Sequence, residues 1–149
     1  MRRRRTLEKF RPIAGDFFAS PQIDLADIDR AKAMGVAAIV NNRPDGEEPA
    51  APQGAEIEAA ARAAGIDYTA IPVGHAGFSE PQIDALVGVL SRADGPVLGY
   101  CRSGTRSTLL WALAQAKSGA DPDEIASAAA AQGYDVGPVR PMMDMLAAR

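Results

Sequence analysis

This chain has one cysteine and one histidine in 149 residues. A single thiol cannot close a disulfide within the chain, and it cannot build a multi-cysteine metal site. A reducing, cytoplasmic compartment is the expected setting. No apolar stretch reaches the ~18 residues that a membrane span requires. Net charge is only −3, so overall charge points to neither a nucleic-acid nor a membrane partner. The exception is the basic run Arg2-Arg3-Arg4-Arg5. No long apolar region follows it, so it is not a secretory signal. It reads as a solvated, frayed tail over residues 1–12, with a nucleic-acid or targeting role as the lesser reading. Internal repeats are absent, and so is low complexity beyond alanine-rich helical faces.

Hydrophobic residues make up 47% of the chain, enough for a folded domain with one sizeable core, expected over residues 13–149. Short apolar runs alternate with amphipathic segments, the pattern of an α/β domain. Ile13 to Ile23 reads as a short strand or hairpin. Asp24 is a helix N-cap for Leu25 to about Met34, and Gly35 stops that helix. Val36 to Val40 is continuous apolar sequence, read as a buried parallel strand. The loop Asn41-Asn42-Arg43-Pro44-Asp45-Gly46-Glu47-Glu48-Pro49 follows, then a helix from about Gln53 to Ala64 and a strand from Asp67 to Ile71. Ser79 caps a helix running to about Arg92, and Asp94-Gly95-Pro96 turns the chain into the next strand. Helices at about 122–132 and 141–148 close the chain.

The lone cysteine sits where a strand, Pro96-Val97-Leu98-Gly99-Tyr100, passes through a short polar loop into the helix Ser107-Thr108-Leu109-Leu110-Trp111. Loop amides and a following helix N-terminus make an anion site. That field, with Arg102 and Arg106 beside it, favours thiolate over thiol at Cys101. Gly104 lets the backbone curl with its amides inward. Ser103 and Thr105 complete the anion-binding loop, and Arg106 offers a planar fork of donors to an oxyanion. Ser107 is placed to cap an N–H or to donate to the sulfur. Trp111 reads as a packing residue.

The run Tyr100-Cys101-Arg102-Ser103-Gly104-Thr105-Arg106-Ser107 closely resembles the active loop of single-domain rhodaneses, which are sulfurtransferases. It is also similar to the cysteine-phosphatase loop, although four residues separate Cys101 from Arg106 and the phosphatase interval is one residue longer. Tyr100 stands where cysteine phosphatases usually carry histidine. Three further segments, Phe18-Ala19-Ser20-Pro21-Gln22, Val40-Asn41-Asn42-Arg43-Pro44-Asp45-Gly46-Glu47 and Ile71-Pro72-Val73, resemble the phosphatase-like domain of beta-lactamase-hydrolase-like proteins over roughly residues 13–132. That resemblance implies a three-layer α/β domain with a central, mostly parallel sheet, like that of dual-specificity phosphatases. Some relatives carry this domain fused to a metallo-β-lactamase-fold persulfide dioxygenase, and the single histidine here rules out a zinc site of that type.

Phosphatases of this fold take a general acid from a loop upstream of the cysteine. The corresponding loop, Pro72 to Ser79, holds no carboxylate, and its one titratable group is His75. Sulfane transfer needs no such acid. The sequence therefore leans to a sulfurtransferase in which Cys101 takes sulfur from a small sulfane donor. The resulting persulfide passes it to a thiol such as glutathione or a protein thiol, with no metal or organic cofactor. A cysteine-dependent phosphatase working through a phosphocysteine is the alternative, and an anion-binding or persulfide-sensing domain is the third. His75 reads as an exposed loop residue, or as a substitute acid or substrate-orienting group. Arg43 reads as a residue of the site's mouth, or as a brace for its own loop through carboxylates such as Asp45.

Overall fold

The computed structural model describes residues 9–149. The Arg2–Arg5 run lies outside the described residues. A hairpin opens the fold, with β1 (Arg11–Ala14) antiparallel to β2 (Phe17–Ser20). Then follow α1 (Leu25–Ala33), β3 (Ala38–Asn41), α2 (Gly54–Ala63), β4 (Asp67–Ala70), α3 (Glu80–Arg92), β5 (Val97–Tyr100) and α4 (Thr105–Lys117). The helices α5 (Pro122–Ala131) and α6 (Arg140–Ala147) close the chain, with a 3-10 turn, Gly137–Val139, between them. The sheet order is β1-β2-β5-β3-β4, and every pairing except β1–β2 is parallel.

The three layers follow from the side-chain alternation of β5. Leu98 and Tyr100 join a core with Ile28 and Ala31 of α1 and Ile57 and Ala61 of α2. Val97 joins the opposite core, with Leu86 of α3, Leu110 and Leu113 of α4, Ile125 of α5 and Met143 of α6. Strands buried on both faces read as unbroken apolar runs, which is why β3 and β5 were legible. The helix α4 is buried almost all round because the sheet, α3, α5 and α6 all pack on it. Trp111 stacks on Phe17 with ring centroids 6.0 Å apart, in its expected packing role. Among the described residues, no helix is long and apolar enough to cross a membrane.

Local signals set the helix starts. Asp24 accepts from the Asp27 amide at 2.9 Å, and Asp27 returns the bond to the Asp24 amide at 3.0 Å, a reciprocal box at the head of α1. At the head of α3 the Ser79 amide donates to Gln82 Oε1 at 2.8 Å, one half of such a box. Three expectations are corrected. Phe10 is 3% exposed and β1 begins at Arg11, so residues 9–12 pack with the domain instead of extending the tail. The strand β3 runs over 38–41, shifted toward Asn41, because Asn41 pairs in register with Tyr100 and Ala70. The helix α4 starts at Thr105, two residues early, because Gly104 takes the left-handed N-cap position. Arg106 is therefore fixed by helical geometry rather than carried on a loop.

Gly99 is where β5 meets α4. A Cβ there would lie 2.9 Å from Cζ of Phe17 and 3.3 Å from Cβ of Ser107. Gly99→Ala should destabilise the domain by about 1–3 kcal/mol through overpacking. Urea denaturation followed by Trp111 fluorescence measures this, and an unchanged midpoint would contradict the close packing.

Candidate functional site

Cys101 follows the last residue of the central strand β5 and is fully buried. Its amide donates to the Ser20 carbonyl at 3.3 Å, and the Asn42 amide donates to the Tyr100 carbonyl at 2.8 Å. The carboxyl ends of β2, β3 and β5 are thus tied together around the sulfur, at the end of the sheet where α/β folds bind ligands. The Gly104 amide donates to the Cys101 Sγ at 3.1 Å, so the loop turns at least one N–H inward as its sequence predicts.

Gly104 holds φ at +89°, a conformation that L side chains rarely adopt. A Cβ on it would also collide with the Tyr134 hydroxyl. That hydroxyl donates to the Ser103 carbonyl at 3.1 Å and clamps the loop from outside. Ser103 and Thr105 hydroxyls bond to each other at 2.9 Å and stay exposed. Thr108 donates to the Gly104 carbonyl at 2.9 Å. Ser107 neither caps the helix nor reaches the sulfur. Its buried hydroxyl donates to Asn42 Oδ1 at 2.7 Å, and Asn42 Nδ2 donates to the Ile71 carbonyl at 2.8 Å. The β3 loop is the stronger partner because Asn42 is itself buried and needs a donor.

Arg106 meets a carboxylate that the sequence reading left without a role. Its Nη1 donates to Glu47 Oε2 at 2.7 Å and its Nη2 to Glu47 Oε1 at 2.9 Å, a bidentate fork. The second Nη1 hydrogen goes to the Val73 carbonyl at 2.8 Å. Arg43 supports the same carboxylate, donating from Nε to Glu47 Oε1 at 2.9 Å and from Nη1 to Gln22 Oε1 at 2.9 Å. Glu47 is held well below the ordinary carboxylate range, to about 2, chiefly by the Arg106 hydrogen bonds and then by Arg43. Arg106 is raised in turn, first by the Glu47 hydrogen bonds, with the neighbouring Cys101 and the Glu47 charge adding to the shift.

A guanidinium has five N–H donors. Glu47 and Val73 take three of Arg106's, on the Nη1 and Nη2 end. Cys101 adds a minor hydrogen-bond contribution to Arg106, and the Nε–H and one Nη2–H donate to no oxygen among the described residues. These two lie on one edge of the guanidinium, the geometry for a bidentate oxyanion.

An open pocket of about 450 Å³ lies over this constellation, lined by Arg43, Glu47, Glu48, Gly74, His75, Arg102 and Arg106. The structure thus brings the candidate accessory residues Arg43 and His75 to the same mouth as Arg102 and Arg106. His75 and Arg102 are exposed there, and Arg102 has no ionic partner among the described residues. Arg43 both lines the mouth and braces its loop, but its carboxylate is Glu47. Asp45 instead accepts from the Gly54 amide at 2.9 Å, at the head of α2. The carboxylates just beyond the 72–79 loop are engaged elsewhere, since Lys117 donates to both Glu80 and Asp84. Tyr100 points into the α1/α2 core, away from the pocket, and burial pushes its phenol up so that it stays neutral.

A family model for the phosphatase-like domain of beta-lactamase hydrolase-like protein matches residues 9–118. A beta-lactamase hydrolase-like protein of Agrobacterium fabrum is 41% identical over 95 residues, which are 64% of this chain and 22% of that protein. The chain thus corresponds to less than a quarter of that relative's length. A solved structure from Neisseria meningitidis, assigned as a phosphatase, superposes with a TM-score of 0.77 at 32% identity, covering 90% of this chain and 95% of that one. Tk-PTP, at 17% identity, shares the fold with a TM-score of 0.74 over 95% of this chain and 97% of its own.

The Glu47 pair has a definite pH signature. Its carboxyl is lowered on folding, so the stability it adds is complete above the ordinary range near 4.5 and is lost as pH falls through about 2. Denaturant titrations of wild type and Glu47→Gln should therefore differ by a constant amount from neutral pH to about 5. The gap should then close in more acidic buffer. A gap that closed well above pH 5 would show that the carboxylate is not held by the arginines.

Proposed function

Because the chain belongs to the family of phosphatase-like domains of beta-lactamase hydrolase-like proteins, we propose that it is a cysteine-dependent phosphoester hydrolase. The observation that carries this reading is the Nε/Nη2 edge of Arg106, which donates to no oxygen among the described residues and is held beside a buried cysteine whose sulfur already receives a loop amide. Cys101 thiolate attacks the phosphorus, the bond from phosphorus to the leaving oxygen breaks, and that oxygen departs with the electron pair. The non-bridging oxygens are held by loop amides and by the free edge of Arg106 as charge builds on them. Water then attacks the phosphocysteine, the S–P bond breaks, and the thiolate returns while the water's proton leaves with the phosphate. A reducing, cytoplasmic setting that keeps the lone thiol free completes the proposal.

The sequence leans the other way, to sulfur transfer, and the family and structural comparisons support the phosphatase alternative instead. Sulfur transfer remains as a second reading because of one observation, the four-residue interval between Cys101 and Arg106. In it, Cys101 carries a persulfide taken from a small sulfane donor, and a thiol such as glutathione or a protein thiol receives the outer sulfur.

The two separate in one set of assays, para-nitrophenyl phosphate hydrolysis beside thiosulfate:cyanide transfer. Wild type should release phosphate, Cys101→Ser should release none, and Arg106→Lys should lose about 100-fold or more because it removes the planar fork. Sulfur transfer without phosphate release would reverse the assignment.

A further inference from the structure

We propose that the pocket selects phosphoanhydrides, phosphoryl donors whose leaving group is itself a phosphate, over phosphate esters of alcohols. The inference rests on the phosphatase reading and names its substrate class. It starts from the proton that an alkoxide leaving group requires. A positioned acid supplies it in most cysteine phosphatases, and such an acid contributes about 100- to 10,000-fold. The carboxylates lining this pocket are Glu47 and Glu48. Both oxygens of Glu47 accept from arginine, and its low pKa leaves no proton to give. Glu48 accepts from the Ala50 amide at 3.1 Å and closes its own turn. A leaving group that departs as a stable anion needs neither.

The lining narrows the class further. The pocket mouth carries three arginines, a histidine, two glutamates and a glycine. Apart from the exposed His75 ring, it has no aliphatic or aromatic side chain against which an alkyl or aryl leaving group would pack. Arg102, adjacent to Cys101, is exposed and without an ionic partner among the described residues. It is the cation placed to receive a second phosphate while Arg106 holds the first. In the reaction, Cys101 sulfur bonds to the terminal phosphorus and the P–O–P bridge breaks on that side. The bridging oxygen leaves with its electron pair as the terminus of an inorganic or organic phosphate. Water then releases the phosphoryl group from sulfur as before.

The test compares kcat/KM of the full chain for inorganic tripolyphosphate, para-nitrophenyl phosphate, phenyl phosphate and glycerol phosphate. Tripolyphosphate and para-nitrophenyl phosphate should exceed phenyl phosphate and glycerol phosphate by about 100-fold or more, the range in which a missing acid shows. Arg102→Gln should lower the ratio of tripolyphosphate to para-nitrophenyl phosphate turnover about tenfold, as expected for one charge-assisted contact. Glu48→Gln and His75→Asn should leave the dependence on leaving group as steep as in wild type. Equal rates for phenyl and para-nitrophenyl phosphate would overturn the inference, as would a wild-type dependence that steepens in Glu48→Gln or His75→Asn. So would an unchanged ratio in Arg102→Gln. Those outcomes leave the phosphatase reading standing. Turnover of none of the four removes both.

Discussion

The bidentate pair between Glu47 and Arg106 is the constraint on which the site depends. It joins residues 59 apart in sequence, the β3 loop and the first turn of α4. With Arg43 behind it and the Val73 carbonyl beside it, the pair fixes the guanidinium plane before any ligand arrives. An arginine left to find its geometry at the moment of binding would surrender rotamer entropy. Here that ordering is complete in the free protein. The same contact occupies both oxygens of Glu47, so in the proposed phosphatase this carboxylate holds the arginine instead of giving a proton.

The rest of the local fold keeps that pair and the sulfur in register. Gly104 supplies the left-handed turn that sends an amide toward Cys101, and Tyr134 closes over it. Gly99 allows α4 to sit against β5 closely enough for Ser107 to reach Asn42. That buried bond is costly to break, since either partner alone would be left unpaired away from water. The site is therefore supported from below by packing and from the side by polar contacts between β3, β5 and α4.

Much of this was legible in the sequence. The apolar runs of β3 and β5, the caps Asp24 and Ser79, and the strand–loop–helix around Cys101 are local signals, and the structure carries each of them. The resemblance of three separated segments pointed to the family and the three-layer fold. What was not legible is what depends on distant partners. Glu47 lies within one of the segments that carry that resemblance, yet nothing local pairs it with Arg106, and sequence proximity alone points the brace of Arg43 to Asp45. Ser107 was given a helix-start role by position, whereas buried Asn42 claims its hydroxyl. Tyr134 carried no signal at all, because its contact with the Ser103 carbonyl spans 31 residues. The tail boundary failed for a simpler reason: Phe10 is one aromatic residue beside a charged run, and only the assembled core shows that it is buried.

The absence of a carboxylate from the 72–79 loop favours sulfur on sequence alone, and it acquires a different meaning with Glu47 held by arginine. On the proposed phosphatase reading, that absence describes a phosphoryl-transfer site that relies on the leaving group's own stability. The central claim is that Cys101 carries a phosphoryl group during turnover. Acid quenching of the protein during reaction with a phosphoryl donor, followed by intact-mass measurement, tests this directly. The account predicts a population heavier by one phosphoryl group, located on the Cys101 peptide and absent in Cys101→Ser. A protein that never gains that mass, while gaining one sulfur atom on Cys101 from a sulfane donor, would contradict it.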